Sequence, residues 1–169
     1  MKRAFTLIEL LVGMLVLVTG GGLLLMGMFY ATVHASYLRE AQVAANVAEG
    51  RLQQLASTDF ATLRNLPALR RCLFEDLNCN TLLEVGEDVN GNVMLDSLPL
   101  TNGWVALEIQ PVNGTTQTAT LFELRAAVCW TFRGRRIGEG TPSTPCSNTG
   151  GNSWVESPVA LVTRVAQPS

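Results

Sequence analysis

Apolar residues follow three patterns along this chain. From Phe5 to Leu38 they form one run in which Glu9 is the only charged side chain. About 20 apolar residues carry a helix across the hydrocarbon core of a bilayer, so the run is long enough to span. Gly20-Gly21-Gly22 interrupts it. Glycine costs about 1 kcal/mol relative to alanine in a helix, so the triplet is either a soft point or a place where membrane helices pack closely. Beyond the run, Leu38, Ala41, Ala45, Ala48, Leu52 and Leu55 recur at alternating spacings of three and four. That is an apolar stripe on one helical face. Glu40, Gln42, Asn46, Glu49, Arg51 and Gln53 fall largely on the other side. Helix is therefore expected to about Ala56, with Ser57-Thr58-Asp59 as its break. In the last part, Trp104–Ile109, Thr118–Phe132 and Val159–Val165 have strand composition, and Asn113-Gly114 is a turn signal between the first two. The pattern predicts an α+β fold, with a long N-terminal helix on a small antiparallel sheet of about four strands.

Composition sharpens this picture. The 169 residues suffice for one core. Only 15% are charged and 47% are hydrophobic, the apolar excess lying in the first fifth of the chain. The formal net charge of −2 is no nucleic-acid-scale positive charge, so nucleic acid is not an expected partner. Four cysteines, Cys72, Cys79, Cys129 and Cys146, allow three pairings. An even count in an exported chain suggests disulfides formed outside the cytoplasm, and the local pairs Cys72–Cys79 and Cys129–Cys146 are favoured. With no C-x-x-C and His34 as the single histidine, zinc has little support.

Lys2 and Arg3 precede the apolar run. Basic residues stay on the cytoplasmic side, which puts the N-terminus inside and everything after Arg39 outside. A secretory signal has a shorter apolar stretch followed by an A-x-A-like site; here the run is too long and no such site follows. A plain signal anchor would be oriented equally well. Glu9 argues against it, because a carboxylate in the hydrocarbon costs about 2.5–3.5 kcal/mol on insertion scales and marks function by default.

Lys2-Arg3-Ala4 followed by Phe5-Thr6-Leu7-Ile8-Glu9-Leu10-Leu11 resembles the class III leader of type IV prepilins and pseudopilins. The resemblance implies that a membrane-embedded prepilin peptidase cuts between Ala4 and Phe5 and N-methylates Phe5. Residues 1–4 are then the leader, 5–56 the membrane and assembly helix, and 57–169 the head domain. Without Lys2 and Arg3 the chain holds 10 basic against 14 acidic residues. The resemblance also implies that Glu9 pairs with the N-terminal amine of a neighbouring subunit, the cation that makes a buried acid tolerable. Ala4 stands where the family nearly always has glycine. Val47–Leu55 followed by Phe60-Ala61-Thr62-Leu63, and Val128-Cys129-Trp130 followed by a basic turn and Cys146, resemble PilV-type minor pilins. The implied partners are the membrane, the peptidase, other pilins in a helical filament and an inner-membrane assembly platform. The implied location is the bacterial inner membrane, single-pass, and then the periplasm or an extracellular pilus. A minor pseudopilin of type II secretion, and a pilus-borne adhesin or DNA-binding subunit, are the alternatives.

The segment 76–96 carries a repeat: acid, x, Asn, x, Asn, three residues, acid, twice, twelve residues apart. Asp76, Asn78, Asn80 and Glu84, with the Leu82 carbonyl and Glu87, form one oxygen set; Asp88, Asn90, Asn92 and Asp96 form the other. Calcium takes six to eight oxygen ligands, and the pattern resembles EF-hand-like and thrombospondin type 3 loops. Thr81 and Val93 stand where such loops have glycine, and Pro99 where a late acid would fall; an acidic, Asn-rich surface turn is the alternative. A calcium ion here would order a loop with little core of its own, braced by Cys72–Cys79.

Other motifs read blandly. Arg133-Gly134-Arg135-Arg136 is expected as a solvated turn rather than a contact for an acidic partner or DNA. Gly134, Gly138 and Gly140 lack the Lys-Ser/Thr and helix of a phosphate loop. Residues 140–154 read as a long exposed loop stapled at Cys146, and Asn113-Gly114-Thr115 matches a glycosylation sequon. The chain has no second histidine and no nucleophile elbow, so no catalytic constellation is legible and an enzyme is not expected.

Overall fold

A computed structural model describes residues 6–73, 75, 76, 79, 82, 84, 100–141, 144–148 and 154–168. The chain divides into two compact units, Met1–Arg39 and Glu40–Ser169. Helix α1, Leu7–Ala56, runs through both.

In the first unit α1 is unbroken through Gly20-Gly21-Gly22, and every side chain from Thr6 to Thr32 is exposed. Threonine and serine hydroxyls along this part of the helix are satisfied by the helix itself. Thr19 Oγ1 donates to the Leu15 carbonyl at 2.8 Å, Thr32 Oγ1 to Phe29 at 2.8 Å and Ser36 Oγ to Val33 at 2.8 Å. Backbone and side-chain polar groups closed in this way are what an apolar solvent requires. The helix is long and apolar enough to cross a membrane.

In the second unit α1 buries Ala44, Ala48, Arg51, Leu52 and Leu55. Ala48, Leu52 and Leu55 of the expected stripe are buried, and the earlier half of it is corrected: the buried line starts at Ala44 rather than Ala45, Ala41 and Ala45 are half-buried, and Leu38 is 64% exposed. Arg51, expected on the polar side, is buried, because its Nη2 donates to the Asp76 carbonyl at 2.6 Å. Helix α1 ends at Ala56, and Asp59 then caps the short helix α2, Phe60–Asn65, its carboxylate accepting from Ala61 N at 3.1 Å. Arg64 of α2 donates to the Ala119 carbonyl at 2.9 Å and to Gln167 Oε1 at 3.1 Å.

Five strands form one antiparallel sheet: β1 Leu69–Leu73, β2 Trp104–Pro111, β3 Leu121–Phe132, β4 Arg135–Ile137 and β5 Val159–Ala166. The order is β1-β2-β3-β4, with β5 also paired to β3. Three strands fall where the sequence predicts them. β1 and β4 are too short to show alternation and exist through their pairing partners. Val105, Leu107 and Ile109 of β2 share a face with Phe122, Leu124, Ala126, Val128 and Trp130 of β3. Helix α2 lies on that face, the Phe60 and Phe122 rings 5.1 Å apart.

The opposite face is not solvated throughout. Ala106, Ala127 and Cys129 are covered by Cys146 and Val155, both fully buried, with Trp104 and Ala160 alongside. Part of the expected exposed loop is thus a strap across the sheet, tied down by the Cys129–Cys146 disulfide (Cα–Cα 5.4 Å). Gly138, at φ +88°, is required there, since a Cβ would sit 2.8 Å from Cys129 Sγ. Arg133 (φ 48°) and Gly134 (φ 78°) make a two-residue hairpin turn between β3 and β4. Arg133, Arg135 and Arg136 are all exposed on it. The turn between β2 and β3 is longer than the expected Asn-Gly pair. Asn113 Oδ1 accepts from Thr120 N at 3.0 Å and Leu121 N at 3.2 Å, while its Nδ2 donates to Thr120 Oγ1 at 2.7 Å. The sequon asparagine is therefore a turn-forming residue.

Candidate functional site

The N-terminal end of α1 is built by Thr6 and Glu9. Thr6 is the residue before the first helical one, and its carbonyl accepts from Leu10 N at 3.3 Å. Thr6 N and Oγ1 donate to Glu9 Oε2 at 2.9 and 3.0 Å, and Glu9 N donates back to Thr6 Oγ1 at 3.4 Å. This is a capping box, in which residues three apart satisfy each other's orphaned donors at a helix start. The Thr-x-x-Glu spacing ahead of an apolar run is its signal. Sequence reasoning centred on Glu9 passed over Thr6. Oε1 of Glu9 accepts no hydrogen bond among the described residues. One carboxylate oxygen is thus held by the helix's own cap and the other is open to a donor. Leu7, Ile8, Leu10 and Leu11 around it are all more than half exposed. Ala4 and Phe5, the expected processing positions, lie outside the described residues.

The disulfides join Cys72 to Cys79 (Cα–Cα 5.0 Å) and Cys129 to Cys146, the local pairings expected. Of the expected calcium ligands, Asn78, Asn80, Glu87, Asp88, Asn90, Asn92 and Asp96 lie outside the described residues. Asp76 is buried next to buried Glu75, while Glu84 is exposed. No group of three or more potential metal-ligating side chains occurs among the described residues.

A second polar cluster lies on the strap side of the sheet. Glu108 and Arg125 are directly opposite across β2 and β3. Glu108 is 4% exposed; its Oε1 accepts from Val155 N at 2.8 Å, and its Oε2 lies 3.9 Å from Arg125 Nη1. The Arg125 guanidinium also stacks under Trp154, 5.6 Å from the ring centroid. Burial pushes the Glu108 carboxyl above the usual carboxylate range, against the Val155 N–H and Arg125, which pull it down. Arg125, Gly138, Glu139, Glu156, Ser157 and Pro158 line a shallow hollow beside it. Sequence reading missed Glu108, whose two partners, Arg125 and Val155, lie 17 and 47 residues further along the chain.

Comparisons with protein-family models, with curated proteins and with solved structures find no match.

Proposed function

We propose that this chain is a minor type IV pilin of the PilV type: a membrane-anchored subunit, clipped between Ala4 and Phe5 and packed through α1 into a pilus. The observation that carries the reading is the make-up of α1. One unbroken helix joins an apolar, wholly exposed stretch of membrane length to a segment that supplies the head's core through Ala44, Ala48, Leu52 and Leu55. Near its start stands one carboxylate, Glu9, with a free oxygen. The side chains from Thr6 to Thr32 are exposed, so lipid and then neighbouring helices are the natural surroundings of that apolar stretch.

In this mechanism the subunit waits in the inner membrane, the peptidase exposes the Phe5 amine, and Glu9 Oε1 receives the amine of the adjacent subunit. Pairing is satisfied only in the correct axial register, since a displaced carboxylate meets hydrocarbon and costs a few kcal/mol. The PilV-type resemblance around Val128-Cys129-Trp130 favours a pilus over a type II secretion pseudopilus. The test is intact mass and N-terminal sequence of the chain expressed with its own prepilin peptidase. A product starting at N-methylated Phe5 is expected. A chain that still starts at Met1 would leave a simple membrane-anchored protein.

A further inference from the structure

Strand β5 is an edge strand without the usual protection. Its eight residues pair with Leu121–Val128 of β3 in one uninterrupted register. It has no bulge, no proline and one charge, Arg164, already neutralised by Glu123 at 2.8 Å. Natural edges of this length are blunted by lysines, prolines, bulges or a covering element. Here Pro158 and Pro168 stand just outside the strand and bracket it.

The hydrogen-bond parity shows what the edge offers. Gln167 N donates to the Thr120 carbonyl at 2.9 Å, in the same register as the strand. Residues paired by hydrogen bonds alternate with residues that are not, so Leu161, Thr163 and Val165 point their backbone groups at β3. Ala160, Val162, Arg164 and Ala166 point theirs away from it. Among the described residues, nothing hydrogen-bonds to those outward backbone groups. Val162 is also 53% exposed. Donors and acceptors alternating at strand spacing are met in full only by another extended backbone. The side chains narrow the choice: Leu161 and Val165, half-buried on the helix-side face, call for apolar residues at alternate positions of the incoming strand. Arg164, already paired, calls for no acid. A second copy's β5 would pair by a two-fold axis into a closed dimer, which cannot propagate along a filament.

We propose that the free edge of β5 accepts an extended, largely uncharged strand from a neighbouring subunit of a different kind in the assembled filament, continuing the sheet beyond Val162. This rests on the assembly reading above. The experiment is residue-resolved amide exchange on the full chain, in detergent micelles and in filaments isolated from its host. In micelles the amides of Val162 and Arg164 should exchange freely while those of Thr163 and Val165 are protected. In filaments Val162 and Arg164 should slow by about tenfold or more. Val162→Pro removes an outward N–H without touching the β3 ladder and should enter filaments at least about tenfold less well. Val162→Lys, which keeps the backbone and charges the edge, decides the matter if the proline variant does not fold. Wild-type incorporation with fast Val162 and Arg164 amides, or either folded variant entering normally, overturns the strand-acceptor proposal and leaves the assembly reading standing. Protection of these amides already in micelles, with dimer formation, overturns it in favour of self-pairing. Failure of the wild-type chain to enter filaments removes both readings.

Discussion

Arg51 Nη2 donates a 2.6 Å hydrogen bond to the backbone carbonyl of Asp76, joining the α1 helix to the segment that follows β1. Arg51 is 2% exposed, and Glu75 and Asp76 beside the bond are buried as well. The aliphatic stem continues the helix's apolar line, while the guanidinium carries a donor to a buried backbone carbonyl.

Removing that guanidinium takes this donor from a carbonyl in a buried site, a loss of about 1–3 kcal/mol for a buried group deprived of its partner. Arg51→Met, which keeps most of the stem, should therefore lower the head's melting temperature strongly. Arg51→Lys should recover only part of it, since one ammonium cannot reproduce a planar fork of donors. Thermal unfolding of the full chain in detergent, followed by near-ultraviolet circular dichroism, reads both.

Glu108 makes stability depend on pH. Its carboxyl is raised in the folded state, chiefly by burial, so the folded chain holds this proton more tightly than the unfolded one. The resulting stabilisation is complete below the ordinary carboxylate value of 4.5 and is lost as pH rises through the elevated value. Glu108→Gln, whose amide oxygen still accepts from Val155 N, should remove this dependence. Denaturant titrations of both proteins across mildly acidic pH measure the difference, and parallel curves would contradict it.

At the other end of the chain, Glu9 and Thr6 separate two roles. Glu9→Ala should leave membrane insertion intact but reduce filament incorporation by about tenfold or more; normal incorporation would remove the pairing mechanism. Thr6→Val should cost the helix start about 1 kcal/mol, seen as faster amide exchange in the first turn, while the Glu9 charge is kept.

Calcium provides a fourth test. If the paired acid-and-asparagine repeat within 76–96 binds the ion, saturating calcium should raise the melting temperature, by about 2.7 kcal/mol of stabilisation at one hundred times the dissociation constant. Asp88→Ala with Asp96→Ala, which strips the acids from one of the two oxygen sets, should reduce the shift. Equal melting temperatures in calcium and in chelator would identify the repeat as a surface turn.

Local pattern alone determined much of this molecule. The helix to Ala56, its break at Ser57–Asp59, the three longer strands and the isolated Glu9 are legible because helices and strands have one-dimensional periods and a charge in an apolar run stands out. The Thr6–Glu9 cap was equally local. Tertiary structure decided the rest. Arg51 is polar by type and became buried because a segment 25 residues away supplies its acceptor. Cys146, in a stretch that read as an exposed loop, is buried with Val155 against the sheet's second face. Glu108 gained its environment from Val155, 47 residues on. Burial of a polar group is set by partners brought together in space, and no periodicity along the chain encodes which partners those will be.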